Sequence, residues 1–214
     1  MQLNLSILIP STPDRKGDLK SLLRTILNQG LFGNEILGVV GIMESFRYID
    51  SSNGVEILIL QDEKVLTIGE KREILYKRAN GLYSWQIDSD DSIAPDALEL
   101  ILAVIKENPE TPCITFRENC MMNGEYKSSN HSIKYDRWMD NFDGYDYVRN
   151  PFYKDVIRTD IAKSVPFEHI RYNEDERFAM ALKPYLTDEV HIDREIYFYI
   201  YEPKDTHEER YGIK

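Results

Sequence analysis

The sequence predicts an α/β domain with a mainly parallel central sheet and a smaller antiparallel portion. Three short apolar runs are typical of strands buried on both faces, at residues 6–9, 56–60 and 82–87. Apolar residues at helical spacing occupy the segments between them, at 19–27 and 69–81. Strands that alternate with helices form parallel sheets, in which ligands bind where the chain leaves the carboxyl ends of the strands.

Local signals set the ends of these elements. Pro10 and Pro13 interrupt the first strand. We expect the pair Asn80-Gly81 to end the second helix, and we expect Pro95 to lie in the first turn of a third, at residues 94–106.

The second half of the chain has a different pattern. The apolar segment 113–116 and the turn residues Asn123 and Gly124 predict an antiparallel hairpin. Residues 135–153 are rich in Tyr, Trp, Asp and Asn without a clear period, which predicts a long binding loop. The aromatic run at 196–201 predicts a late strand.

Composition and charge limit the classes of function. The 214 residues are 42% hydrophobic and 29% charged, as in one substantial globular domain, and they carry a net charge of −11. This charge disfavours broad binding to nucleic acid, which depends on a positive surface. No apolar run approaches the roughly 18 residues that span a bilayer, and the first residues lack a signal-peptide pattern, so we expect a cytoplasmic protein without a membrane span. Cys113 and Cys120 are too few for a thiolate zinc site, and we expect reduced thiols.

The acidic tripeptide Asp88-Ser89-Asp90 follows the third predicted strand. A turn can direct both carboxylates to one ligand, and Mg²⁺ and Mn²⁺ prefer such oxygen ligands. The alternative is an acidic turn that caps the next helix, and taken alone the motif favours this structural interpretation. We interpret Asp91 as a carboxylate at the start of that helix.

Other charged residues also have two interpretations. Glu174 and Asp175 open a helix, where acidic side chains complement the helix dipole, but one of them could also act as a general base. Lys71 and Arg72 could meet a phosphate or form a solvated helix face. His207 lies in a polar C-terminal tail and is a weaker candidate for a metal ligand.

The order of these motifs resembles the family 2 glycosyltransferases of the GT-A (Rossmann-like) fold. SILIPSTPDR is similar to the opening strand of that family, and GEKREILYKRANGLYSWQIDSDD is similar to its central signature. NEDERFAMAL is similar to the later motif that carries the catalytic base, and IYFYIY fits a late strand. The resemblance covers most of the chain. It departs from the family where the usual D-D-G-S is absent after the second strand and where Glu73 replaces an asparagine.

The resemblance implies a role for each candidate residue. Asp175 would be the catalytic base, with Glu174 the next candidate. Asp90 would be the direct ligand of Mn²⁺ or Mg²⁺, with Asp88 and His207 as further ligands. The residues implied to bind the nucleotide sugar are Pro10, Ser11, Thr12, Asp62 (at the base), Lys71, Arg72, Asp88 and Ser89.

The implied reaction is metal-assisted transfer of a sugar, with inversion, from a nucleoside-diphosphate sugar to a hydroxyl acceptor. A UDP-sugar is the favoured donor and a glycan the expected acceptor. Residues 1–214 would form a single GT-A domain, with a nucleotide-sugar-binding half at 1–93 and an acceptor-binding and catalytic-base half at 94–214. The aromatic side chains that could stack on a sugar, or could equally belong to the core, are Trp138, Tyr145 and Tyr147.

Two alternatives come from other classes of protein. One is a nucleotidyltransferase that makes a sugar nucleotide, although the first loop lacks the glycine-rich, basic pattern that binds a triphosphate. The other is a non-catalytic module that binds a glycan or a protein partner. Modified DNA as the acceptor and assembly into a homo-oligomer are also left open.

Overall fold

The computed structural model describes residues 3–30, 44–50 and 52–201, whose eleven strands form one sheet. The elements in chain order are β1 (Leu3–Ser11), α1 (Lys16–Leu27), β2 (Glu44–Asp50), β3 (Val55–Gln61), α2 (Ile68–Arg78), β4 (Gly81–Gln86), β5 (Ser92–Ile93), α3 (Ala97–Glu107), β6 (Cys113–Met122), β7 (Glu125–His131), β8 (Met139–Phe142), β9 (Tyr145–Arg149), β10 (Val156–Arg158), α4 (Thr159–Ser164), α5 (Glu174–Leu182) and β11 (Val190–Tyr201). Short 3₁₀ turns precede α1 at Pro13–Arg15 and follow α5 at Lys183–Tyr185.

The sheet is mixed. Strand β1 pairs in parallel with β3 on one side and with β4 on the other. Strand β10 then pairs antiparallel with β4 and β6, while β11 runs parallel to β6 and antiparallel to β5. Among the described strands six of the ten pairings are antiparallel, so the expectation of a mainly parallel sheet is wrong. The reason is that short turns join β6 to β7 and β8 to β9, and a short turn can only make antiparallel neighbours.

The predicted strands at the centre of the sheet are confirmed, and apolar clusters cover both of its faces. Leu5, Ile7 and Ile9 of β1 belong to one cluster, with side chains of α1 and α3. Leu8 of the same strand belongs to the second cluster, with side chains of α2 and α5. Full burial of such a side chain contributes about 1.5–3 kcal/mol. Because β1 pairs in parallel with β3 and β4, the carboxyl ends of these three strands meet at one edge of the sheet.

The segment 135–153 is not the long loop that its composition predicts. It contains the antiparallel hairpin of β8 and β9, which turns through Asp143 (φ 55°) and Gly144 (φ 82°). Most side chains of β8 are exposed and most of β9 are half-buried. Without a buried face these strands lack the alternating apolar pattern that identifies a strand in a sequence.

The predicted role of Gly81 is wrong. Helix α2 ends at Arg78 with Ala79 already extended, whereas Gly81 is the first residue of β4. A Cβ at Gly81 would lie 2.5 Å from the backbone nitrogen of Ser6, so glycine is needed where β4 approaches β1. At its other end α2 is closed by a capping box between Thr67 and Glu70.

Smaller predictions were also tested by the structure. Helix α3 begins at Ala97, so Pro95 lies in the turn before the helix and not in its first turn. The β6–β7 hairpin turns at Asn123 and Gly124 as expected. Cys113 and Cys120 are buried free thiols. Among residues 3–30, 44–50 and 52–201, no helix has the length and apolar character that a bilayer crossing requires.

Candidate active site

A cleft of about 720 Å³ opens at the carboxyl ends of β1 and β4. It is enclosed by the end of β1, the start of α1, the turn after β4, helix α2, the start of α5 and the end of β11. The predicted site residues that line it are Pro10, Ser11, Thr12, Lys71, Arg72, Asp88, Ser89, Asp90 and Glu174. The cleft residues that the sequence analysis did not assign to the site include Arg15, Asp91, Tyr153, Tyr199 and Tyr201.

Arg72 is the centre of the charge network in the cleft. Its Nη1 and Nη2 donate to the two carboxylate oxygens of Asp88 at 2.8 and 3.1 Å, and Nη1 also reaches Gln86 Oε1 at 3.2 Å. Its Nε donates to Glu174 Oε1 at 3.4 Å. The Arg72 side chain is only 3% exposed, and its donors are largely occupied by protein oxygens. Arg72 therefore positions other groups. The resemblance implies a direct contact with the nucleotide sugar, but the guanidinium has little room for a phosphate.

Tyr153 completes the surroundings of Asp88. Its hydroxyl donates to Asp88 Oδ2 at 2.8 Å, and the Arg72 guanidinium carbon lies 3.4 Å from the centre of its ring. Burial would raise the pKa of Asp88, but the Arg72 charge and these hydrogen bonds outweigh it, so the pKa lies below its ordinary value. Asp88 is thus held as a carboxylate whose oxygens are already bonded within the protein.

Glu174 is joined to Asp88 of the acidic turn by Arg72, which contacts both carboxylates. It is buried at the first residue of α5, and burial raises its pKa, with Arg72 opposing this effect and the neighbouring Asp175 adding to it. Asp175 is half-buried and does not line the cleft, and its Oδ1 accepts the backbone N–H of Glu176 at 2.9 Å. The structure thus directs Glu174, and not Asp175, into the cleft.

Asp90 pairs with Arg15, which lies in the 3₁₀ turn before α1. Both side chains are about one-third exposed, at 33% for Asp90 and 32% for Arg15. Asp90 is thus more exposed to solvent than Asp88, whose side chain is 21% exposed. No sequence pattern indicates this pair, because its members are far apart along the chain.

The interpretation of Asp91 as a carboxylate at the start of a helix is wrong. Asp91 is buried, and its two oxygens accept from the Tyr197 hydroxyl at 2.6 Å and from the backbone N–H of Ile200 at 3.1 Å. Burial, opposed by Lys154 and reinforced by Asp88, raises the pKa of Asp91 to about 7. Asp91 therefore ties the turn after β4 to strand β11.

Asp62 lies outside the lining of the cleft. It is buried next to the end of β3, where its carboxylate pairs with Lys71 Nζ at 2.8 Å and accepts the backbone N–H of Leu66 at 2.9 Å. Burial would raise its pKa, but the bonds from Lys71 and the backbone hold it below the ordinary value. Lys71 lines the cleft with a side chain that is 7% exposed.

A second charge network lies behind the cleft, fully inside the protein. Lys154 Nζ contacts Glu118 Oε1 at 2.5 Å, and His131 bridges Glu118 Oε2 (3.3 Å) and Asp155 Oδ1 (3.1 Å). Burial would lower the pKa of His131, but Asp155 and Glu118 raise it to about 9, so the imidazole is charged at neutral pH. Lys154 also lies 3.9 Å from the ring centre of the cleft residue Tyr199.

The predicted aromatic platform is not part of this cleft. Trp138 packs against the apolar cluster beside α2, and Arg149 lies 5.0 Å from its ring centre and 5.0 Å from that of Tyr147. Tyr145 begins β9. The aromatic residues that do line the cleft are Tyr153, Tyr199 and Tyr201.

The donor atoms of the cleft fit a divalent cation with few protein ligands. Within the described residues, no group of three or more His, Cys, Asp and Glu side chains is placed to hold a metal ion. Asp90 is a reachable carboxylate, and hard cations are often held by one or two carboxylates together with substrate phosphates. His207 lies outside the described residues.

The sequence comparisons give one curated relative and no family. No protein-family model matches the chain. A protein of Haemophilus influenzae strain Rd, named an uncharacterized glycosyltransferase, is 26% identical over 121 residues, which are 56% of this chain and 41% of the relative.

The structural comparisons identify the fold. The crystal structure of S. aureus TarS 1–349 in complex with UDP-GlcNAc matches with a TM-score of 0.65 at 15% identity, over 95% of this chain and 60% of that chain. The S. aureus TarS structure matches with a TM-score of 0.61, over 95% of this chain and 38% of that one. The chain has the TarS fold. It spans less than two thirds of the length of each of these proteins, and membership of family 2 stays a prediction.

Proposed function

We propose that this protein transfers a sugar, with inversion, from a nucleoside-diphosphate sugar to a hydroxyl acceptor. The Arg72 bridge carries the proposal, because one guanidinium contacts both Asp88 of the acidic turn and Glu174 at the start of α5. Inverting transfer needs the leaving diphosphate on one side of the sugar and a proton acceptor on the other, and the bridge brings the acidic turn and the start of α5 to the same cleft. The TarS structure with UDP-GlcNAc and the relative named as a glycosyltransferase support it and make a UDP-sugar the first donor to test.

Asp90 is the residue proposed to hold Mn²⁺ or Mg²⁺, because its carboxylate is the most accessible of the pair Asp88 and Asp90. When bound, such a cation would offset the charge that develops on the leaving diphosphate. Asp88, fixed by Arg72 and Tyr153, is proposed to face the nucleotide-sugar side of the same site. The proposal for His207 as a further ligand rests on the resemblance alone.

Asp175 is proposed as the general base, which requires its carboxylate to leave the Glu176 N–H and turn into the cleft that it does not line in this structure. In the reaction the acceptor oxygen forms a bond to the anomeric carbon, the bond from that carbon to the diphosphate oxygen breaks, and Asp175 takes the acceptor proton. Glu174 is the less suitable base because its Oε1 already accepts from Arg72. Its proposed role is to hold the Arg72 guanidinium, and through it Asp88, in position.

The remaining assignments follow the walls of the cleft. Residues at the end of β1 and in the acidic turn are proposed to hold the nucleoside, and the Lys71–Asp62 pair beside them is proposed to meet its base. The division into a donor half at 1–93 and an acceptor half at 94–214 agrees with this placement and stays a proposal. The residues at the end of β1 and in the turn are Pro10, Ser11, Thr12 and Ser89.

The test is a donor panel with the purified protein. UDP-GlcNAc, other UDP-sugars and GDP-sugars are incubated with Mn²⁺, and release of the nucleoside diphosphate is measured. We expect one donor to release its nucleoside diphosphate slowly by hydrolysis without an acceptor. The release should be faster when a glycan acceptor takes the sugar. Absence of both binding and turnover with every donor would falsify the proposal, and release of pyrophosphate from a nucleoside triphosphate and a sugar phosphate would favour the nucleotidyltransferase.

Two variants test the assignment of the site residues with whichever donor the panel identifies. Asp90→Asn is expected to abolish the Mn²⁺ dependence of donor binding, and Asp175→Asn to lower turnover by about 10²- to 10⁴-fold with donor binding kept. Glu107→Gln, an exposed carboxylate of α3, is the matched control. Donor binding without turnover in every variant and in the natural chain would favour the non-catalytic module.

A further inference from the structure

The cleft contains three basic side chains among its described residues, and two of them are committed to the protein. Lys71 is 7% exposed and paired with Asp62, and Arg72 is 3% exposed and shared between Asp88 and Glu174. Arg15 is 32% exposed. A nucleoside diphosphate that enters this cleft therefore meets Arg15 as its most accessible cationic side chain.

Arg15 is paired with the carboxylate that the proposed function assigns to the metal. The pair joins the 3₁₀ turn Pro13–Arg15 to the turn after β4, across the opening between the ends of β1 and β4. The guanidinium contacts Asp90 Oδ2, and a divalent cation on the same carboxylate would repel it. A cation that binds Asp90 therefore competes with Arg15 for this carboxylate.

The displacement has a small cost and leads to a natural new partner. An ion pair that is one-third exposed contributes only about 0–1 kcal/mol. The planar fork of an arginine matches two oxygens of a phosphate, and such charge-assisted pairs are among the stronger hydrogen bonds in proteins. The diphosphate would lie next to the cation, within the space that the displaced side chain can reach.

We propose that Arg15 is an exchangeable counter-ion of the donor site. It neutralises Asp90 when the cleft contains no donor, and it moves to the diphosphate when a divalent cation takes Asp90. This inference rests on the proposed function, since it assumes a nucleoside-diphosphate ligand. It makes Arg15, the last residue of the SILIPSTPDR motif, a donor-binding residue in addition to those assigned above.

The exchange predicts effects of opposite sign for two ligands. Removal of the competing guanidinium in Arg15→Gln should raise the affinity for Mn²⁺ alone by about two- to fivefold. The same variant should lower the affinity for UDP in the presence of Mn²⁺ by about tenfold or more, because a charge-assisted phosphate contact is lost. Arg15→Lys keeps a positive charge without the fork, so its Mn²⁺ affinity should stay near that of the natural chain while UDP binding weakens.

The experiment measures free Mn²⁺ by electron paramagnetic resonance and UDP binding by calorimetry. Lys16→Gln is the matched control, since it removes the same charge from the exposed neighbouring residue. Opposite shifts in Arg15→Gln alone support the exchange. Unchanged affinities, or a loss of both, would overturn it and leave Arg15 as a structural pair. If the natural chain binds no nucleoside diphosphate, the proposed function fails, and the Mn²⁺ comparison still decides whether Arg15 competes for Asp90.

Discussion

Arg72 and Asp88 form a two-pronged ion pair, with Nη1–Oδ1 at 2.8 Å and Nη2–Oδ2 at 3.1 Å, that joins helix α2 to the turn after β4. The guanidinium is buried beneath Tyr153 and also reaches Glu174. One side chain therefore sets the distance between the two acidic groups of the cleft. A lysine at this position could keep the charge but not the geometry.

We expect Arg72→Gln to lower the free energy of unfolding by about 3–5 kcal/mol, because it leaves buried carboxylates without their cation. Arg72→Lys should lower it less and still abolish donor binding, since an ammonium cannot hold both Asp88 and Glu174. Chemical denaturation and calorimetric titration with UDP measure the two effects. Arg78→Lys, at the exposed end of the same helix, is the control. Normal UDP binding by Arg72→Lys would contradict the positioning role.

Glu174 and Asp175 are expected to differ in the kind of defect that their amides produce. Asp175→Asn should lower kcat and keep the donor KM, because it removes only the proton acceptor. Glu174→Gln should raise the donor KM as well, because Arg72 and Asp88 lose a fixed partner. The pH profile adds a second readout: the loss of activity at low pH, which protonation of the proposed base causes, should persist in Glu174→Gln and disappear in Asp175→Asn. The reverse pattern would make Glu174 the base.

The buried His131 predicts a pH dependence of stability. Its pKa is raised to about 9 in the folded chain from an ordinary value of 6.5, so the stabilisation is complete below pH 6.5 and is lost as the pH rises through 9. The loss is on the order of 2–3 kcal/mol. Asp91 contributes over a lower range of pH. Its pKa is raised from 3.8 to about 7 in the folded chain, so its stabilising contribution is complete below pH 3.8 and is lost as the pH rises through 7.

Urea denaturation between pH 6 and 10 tests this expectation. His131→Gln should be less stable at pH 6 and should lack the decline between pH 6.5 and 9. The groups that face the imidazole are Asp155 and Glu118, with Lys154 behind Glu118, so the variant leaves carboxylates unpaired as well. The exposed His191 serves as the control through His191→Gln. An equal decline in His131→Gln would show that other groups cause it.

Two glycines are expected to respond to alanine with opposite signs. Gly81→Ala should destabilise the fold by several kcal/mol, since its Cβ would lie 2.5 Å from Ser6 N and 2.6 Å from Leu5 C, both backbone atoms that cannot turn away. Gly17→Ala should stabilise it by roughly 0.5–1 kcal/mol, because this position of α1 has open space around it and alanine favours a helix. Thermal unfolding of both variants measures the difference. A tolerated Gly81→Ala would show that β4 and β1 can separate.

The central strands could be predicted because they depend on local pattern, and nine of the lining residues followed from the resemblance of the motifs to a known family. A run apolar on both faces identifies β1, β3 and β4, and polar residues directly after such strands must reach the same edge of the sheet. The prediction of a mainly parallel sheet was wrong because hairpins decide much of the pairing beyond β4. The strands of these hairpins have little alternation of apolar residues. These strands are recognisable only by their neighbours.

The partners of the acidic turn could not be predicted because they are distant along the chain. Tyr153 is 65 residues from Asp88, and Tyr197 is 106 residues from Asp91. A single tyrosine in an aromatic-rich chain carries no local sign of such a contact. The same holds for the buried ion pairs of Glu118, whose charge in a strand predicts exposure unless its partners are known.

The contacts of Tyr197 have a consequence for folding during translation. Its hydroxyl accepts the backbone N–H of Asp88 at 3.1 Å and donates to Asp91, so strand β11 holds the acidic turn from behind. Domains begin to fold from the N-terminal side while the ribosome is still adding residues. The turn at 88–91 leaves the ribosome long before its partner, so a nascent chain can assemble β1, β3 and β4 and still have no competent donor cleft. The cleft proposed to bind the donor is thus expected to be complete only after residue 197 has left the ribosome.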